Sequence, residues 1–195
     1  EVTIVCDKFS NPEWIASDLI GQAEHDNLAQ CILISKDKLI IKKVNEEINK
    51  QLKNLPRKAI AKSSLINNGI LIHMPSDQKI IDTVNKIAPE HLELNIKNYK
   101  NMVGKIKNSG SICLGKYAVM AMTDYGVPGS NHVLPTNTSS RYSSGLSVGE
   151  FLKKISYINL SKKGIYSLAP SVITLANYEG LVGHARSVEK RIRRK

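Results

Sequence analysis

The stretch "VTIVCDKFSNPEWIASDLIGQAEHDNLAQCILIS", residues 2–35, decides the fold. It opens on a strand-sized apolar run, "VTIVC", and closes on another, "QCILIS". Between them Asn11 is a good N-cap and Pro12 suits a first helical position. Trp14, Ile15, Asp18, Leu19, Gln22 and His25 then recur every three or four residues, the period of one helix face. A strand, a helix and a second strand within some 34 residues make a crossover unit, which places the two strands parallel.

The alternation continues outward. Residues 37–54 form a long amphipathic helix ending near Pro56, "AIAKSSLINN" a short one, and "GILIHM" a further buried strand with His73 as a core histidine. "SDQKIIDTVNKIA" is a helix started by Ser76 or Asp77, "HLELNI" alternates as a strand does, and "GSICLG" is one more strand. Alternating strands and helices predict an α/β domain, an incomplete Rossmann-like unit with a mainly parallel sheet, over residues 1–145. Ligands of such sheets gather beyond the carboxyl ends of the strands. From residue 146 to 195 the pattern changes. A short helix and a strand are expected in "SVGEFLKKISYINLS", then two helices broken at Gly180, giving a small, mostly helical C-terminal domain.

The 195 residues, 42% hydrophobic and 23% charged, suit one ordinary core with a small appended unit. No run approaches the roughly 18 apolar residues of a membrane helix, so no membrane partner is expected. Cys6, Cys31 and Cys113 are few, odd in number and without a C-x-x-C, which points to reduced thiols and a cytoplasmic setting. A strand at the very first residue suggests the later part of a longer protein. The net charge of +11 admits a nucleic acid as partner, and a non-catalytic, basic nucleic-acid-binding module is the alternative function. Against it, the lysines are spread along the chain, only "RSVEKRIRRK" is concentrated, and aromatic residues are 5%.

Several groups carry possible chemistry. In "IAPEHLEL", Glu90 and His91 are either two solvated groups at a strand edge or an acid–base pair. Gln22 and His25 share a helix face. Asp124, Tyr125, Asn131 and His132 lie in the Gly- and Pro-bearing loop "MTDYGVPGSNHVLPT", and Glu179 and His184 flank a break between helices. His25, Asp124 and His184 have the donor atoms of a zinc set, at long spacings, and a different zinc enzyme such as a hydrolase fits those types too.

Taken in order, "LIGQAEHD", "IAPEHLEL", "GSICLG", "SNHVLPT", "RYSSGLSVGEFLKK" and "YEGLVGHARSV" resemble histidinol dehydrogenase, over essentially the whole chain and roughly the second half of that enzyme. The resemblance implies oxidation of L-histidinol to L-histidine, the last step of histidine biosynthesis, with two NAD molecules used in turn. It also implies one Zn2+ per subunit and an intertwined homodimer with shared sites. Carried over by motif, Gln22, His25 and Asp124 become zinc ligands, with His184 of the partner subunit as the fourth. Glu90 and His91 fall on the catalytic acid–base pair. Substrate contacts fall on these same four ligand positions and on His91, Tyr125, His132 and Glu179. The family's NAD-binding domain is not within these residues, so no cofactor-binding position is assigned, and little activity is expected of the chain by itself. The interval from Asp124 to His132 is one residue longer than the family's usual loop, an extra residue that the turn around Gly126 and Gly129 would have to absorb.

Overall fold

A computed structural model describes residues 1–127 and 131–193. The chain divides into two compact units, Glu1–Phe151 and Leu152–Lys195.

The first unit is built on a five-stranded sheet of β1 (Val2–Cys6), β2 (Cys31–Ser35), β3 (Gly69–His73), β4 (His91–Asn95) and β5 (Ser111–Leu114). Their order is β3-β2-β1-β4-β5, and every pairing is parallel. The main crossovers are α1 (Pro12–Ala23) after β1, α2 (Lys38–Gln51) and α3 (Lys58–Asn68) after β2, and α4 (Asp77–Ile87) after β3. Three of these starts, those of α1, α2 and α4, have a local cause. The Asn11 side chain accepts from Glu13 N at 2.9 Å, Asp37 from Leu39 N at 2.7 Å, and Ser76 from Lys79 N at 3.3 Å.

Two apolar layers sandwich the sheet. On one face Val2, Ile4, Cys6 and Leu33 pack against Ile15 and Leu19 of α1 and Ile40 and Val44 of α2. On the other, Val5, Ile34, Leu92 and Leu94 pack against Ile80 and Val84 of α4. Alternate residues of a strand point to opposite faces. Leu92 and Leu94 therefore enter the α4 layer, while His91, Glu93 and Asn95 face the α1 side, all of them buried. The alternation read in "HLELNI" is real, but its polar half is covered by protein rather than by water.

Three expectations are corrected. The apolar run in "GILIHM" is an edge strand paired only with β2, and Ile70 and Leu71 are exposed. His73 is exposed as well, its Nε2 lying 3.1 Å from the Lys36 carbonyl. Asp124 and Tyr125 belong to a short helix, α6 (Met120–Tyr125), not to a loop; α5 (Lys100–Val103) is another short turn of helix.

In the second unit no strand forms over 152–160, against expectation. The helices α7 (Lys162–Tyr178) and α8 (Val182–Ile192) pack on each other, with Ala169, Ala176 and Ala185 buried. Gly180, at φ 75°, makes the left-handed break between them.

Candidate functional site

The four residues Ala88 to His91 carry the chain from α4 into β4. Ala88 adopts φ 54°, ending α4 in the left-handed region, and Pro89 follows. Glu90 precedes the strand and His91 is its first residue. The pair thus stands at the amino edge of the sheet, contrary to the carboxyl-end rule. Gln22 is in the last turn of α1, which runs back to that same edge. His25 lies beyond the helix, in a turn where its N–H donates to the Gln22 carbonyl at 3.2 Å. It does not continue the helix face.

His91 is 5% exposed and its Nδ1 is buried without a hydrogen-bond partner. Its Nε2 lies 3.8 Å from Glu90 Oε1. That distance is too long for a direct hydrogen bond but close enough for charge to act. Burial lowers the imidazole's pKa from its ordinary 6.5; the Glu90 and Asp124 carboxylates oppose this, and burial prevails. His91 is therefore held neutral near pH 7. Beside the pair, Glu1 Oε1 accepts from Asn137 N at 2.9 Å.

Asp124 approaches from α6. Its side chain is 5% exposed, and His132 Nδ1 stands 3.4 Å from its Oδ1. The contact is not a hydrogen bond, and Oδ1 is a buried carboxylate oxygen with no donor. The longer Asp124–His132 interval does not carry His132 away from Asp124; Gly129 lies outside the described residues. Tyr125, at the end of α6, is 83% exposed. Glu179 caps α7 and His184 is in the first turn of α8, both exposed and both in the second unit.

Gly110 explains part of the spacing. A Cβ there would stand 2.7 Å from the Glu90 carbonyl oxygen and 3.0 Å from Pro135 Cδ. Only glycine lets the 131–146 segment close over the backbone of Glu90. The Gly110 and Ser111 N–H groups in turn donate to the Pro89 and Glu90 carbonyls at 3.0 and 2.8 Å.

The sequence reading missed a second acidic pair. Glu93, two residues past His91 on the same face of β4, is 1% exposed. Its Oε1 accepts from the Met120 N–H at 2.8 Å, and its carboxyl faces that of Asp18 on α1. Burial first and the neighbouring Asp18 second push Glu93 up to about 8; burial raises Asp18 to about 6. The signal was available, because Asp18 falls on the apolar stripe of α1.

The carboxyl edge is occupied by something else. A crevice of ≈ 1060 Å³ lies there, lined by Asp7, Phe9, Lys36, Asp37 and Lys97 among others, and by none of the candidate site residues.

A family model for histidinol dehydrogenase matches residues 1–192. The chain belongs to the histidinol dehydrogenase family. It is 86% identical over 195 residues to the histidinol dehydrogenase of Pelagibacter ubique (strain HTCC1062), covering all of this chain and 45% of that protein. It is 44% identical over 191 residues to the enzyme of Listeria monocytogenes serovar 1/2a, covering 98% of this chain and 44% of the other. The crystal structure of histidinol dehydrogenase from Elizabethkingia anophelis superposes with a TM-score of 0.77 at 39% identity, over 98% of this chain and 44% of that one. The chain therefore spans a little under half the length of these histidinol dehydrogenases. Family membership lends no support to the nucleic-acid-binding alternative.

Among the described residues no group of three or more His, Cys, Asp or Glu side chains is arranged to hold a metal ion. Gln22 falls outside that set of residue types, and His184 lies in the other unit. What fits a cation is the unpartnered, buried Asp124 Oδ1. No helix among the described residues is long and apolar enough to cross a membrane.

Proposed function

We propose that this chain supplies the proton-handling and metal-holding half of a histidinol dehydrogenase, which oxidises L-histidinol to L-histidine in the cytoplasm as the last step of histidine biosynthesis. The observation that carries the reading is His91, buried and held neutral beside Glu90 and Asp124.

Removing hydride from an alcohol requires the hydroxyl proton to leave with it. A neutral imidazole accepts that proton, and His91 is in the required state near pH 7. The aldehyde of the first oxidation must gain water before a second hydride leaves. In this reading Glu90, only partly buried, takes a proton from that water. Gln22, His25 and Asp124, with His184 of the partner subunit, would hold the Zn2+. When bound, the ion would grip the amine and imidazole nitrogens of the substrate and orient it. Tyr125, His132 and Glu179 complete the substrate contacts in this reading. The hydride acceptor is NAD, held by the part of the enzyme this chain does not span. The chain alone is accordingly expected to have little activity, and the working form to be a homodimer.

A chimera in which this chain replaces the matching 45% of the Pelagibacter ubique enzyme tests the metal assignment. About one zinc per chain is expected by elemental analysis, lost when His25 and His184 are both changed to Ala. Unchanged zinc content in that double variant would defeat the ligand assignment.

A further inference from the structure

Three elements carry residues of the candidate site: α1 carries Gln22, β4 carries His91, and α6 carries Asp124. The same three elements meet, away from solvent, at Asp18 and Glu93. Asp18 is one turn before Gln22 on the same face of α1. Glu93 follows His91 by two on the same face of β4. The Met120 N–H that donates to Glu93 Oε1 opens α6, four residues ahead of Asp124.

Asp18 Oδ2 and Glu93 Oε2 are both buried, and no N–H or O–H of the described residues reaches either. Yet the two carboxyl groups face each other closely enough that each acts on the other's titration. Two carboxylates in that arrangement are two acceptors facing without a donor, and they repel. One proton between them turns the contact into an O–H···O⁻ bond, the strong charge-assisted kind. We infer that Asp18 and Glu93 share a single proton, and that this protonated pair is the positioning joint that fixes α6, and Asp124 with it, against α1 and β4. The inference rests on the acid–base reading of the site only for what the joint positions; the joint itself needs neither substrate nor metal.

The surroundings agree. Burial of both groups favours the protonated state, and Cys113 of β5, which feels Glu93, Asp124 and Asp18, also faces the pair. Its thiol is pushed up to about 12, chiefly by burial, so it stays neutral while the pair titrates. The sign follows from linkage. A carboxyl that keeps its proton in the fold and loses it when unfolded makes the fold less stable as pH rises from the ordinary carboxylate range through the folded value. The joint therefore loosens on the alkaline side.

The test is a carbon-13 carboxyl and amide NMR titration of this chain from pH 5 to 9, in wild type, Glu93→Gln and Asp18→Asn. Wild type should show one protonated carboxyl at pH 7. The Met120 and Asp124 amides should move with its midpoint, near pH 8. In Glu93→Gln the amide can keep the Met120 bond and donate to Asp18, so the alkaline movement disappears and Tm at pH 8 rises above wild type. In Asp18→Asn the Glu93 midpoint falls by about one pH unit or more, a tenfold change in proton affinity. A side chain serving only to fill space would alter Tm equally at every pH. Glu93 fully ionised at pH 7 in wild type, or Met120 and Asp124 amides that ignore its titration, would overturn the joint. A chimera that fails to oxidise histidinol while these movements persist would remove the proposed function and leave the joint standing.

Discussion

Replacing His91 with Asn lowers kcat for histidinol oxidation by about 10²- to 10⁴-fold, the usual cost of losing a positioned general base. The asparagine side chain is polar and of similar reach, so it fits where the imidazole sits, but it accepts no proton at any working pH. The loss belongs in kcat rather than in substrate binding, because the proton moves only as the hydride leaves. The assay is NADH formation by the Pelagibacter ubique chimera. Thermal unfolding should stay near wild type, since His91 Nδ1 has no hydrogen-bond partner to forfeit. A variant that keeps KM and loses turnover separates a base from a wall of the pocket.

Leu92→Ala is expected to be nearly as damaging by a different route. Leu92 is fully buried, one residue beyond His91, and packs with Leu94, Ile80 and Val84 in the layer behind the sheet. Truncation of a buried leucine costs about 2–5 kcal/mol, because the cavity left behind refills only in part. Against a total stability of about 5–15 kcal/mol that is a large fraction. Urea denaturation of the chain should show the midpoint moving with an unchanged slope. The two predictions probe the two faces of one strand: the polar face carries the proposed base, and the apolar face packs in the core.

Most of the frame was legible because its signals are local. Asn11–Pro12, Asp37 and Ser76 mark helix starts, and strand runs such as "VTIVC" and "CILIS" are wholly buried in the structure. What failed depended on neighbours. "GILIHM" is as apolar as a central strand, yet its burial depends on whether another strand or layer covers it, and β3 lies at the edge. Asp124 read as a loop residue because α6 is only six residues long and ends at Gly126. Its helix start is stabilised by Glu93, 27 residues earlier, which no local pattern reports. Glu93 itself hid for the opposite reason: a glutamate in an alternating strand reads as the wet face, and here α1 and α6 cover that face. Glu90 and His91 stood out only in company with the other motifs. Their placement at the amino edge follows from the sheet, since a residue before a parallel strand must lie there.

Histidine production by the chimera, followed together with NADH, tests the central claim most directly. Two NADH and one L-histidine per L-histidinol are expected with the wild-type chain. With Glu90→Gln and His91→Asn combined, loss of both products is expected under conditions where the protein remains folded. Histidine formed at the parental rate by that folded double variant would contradict the claim.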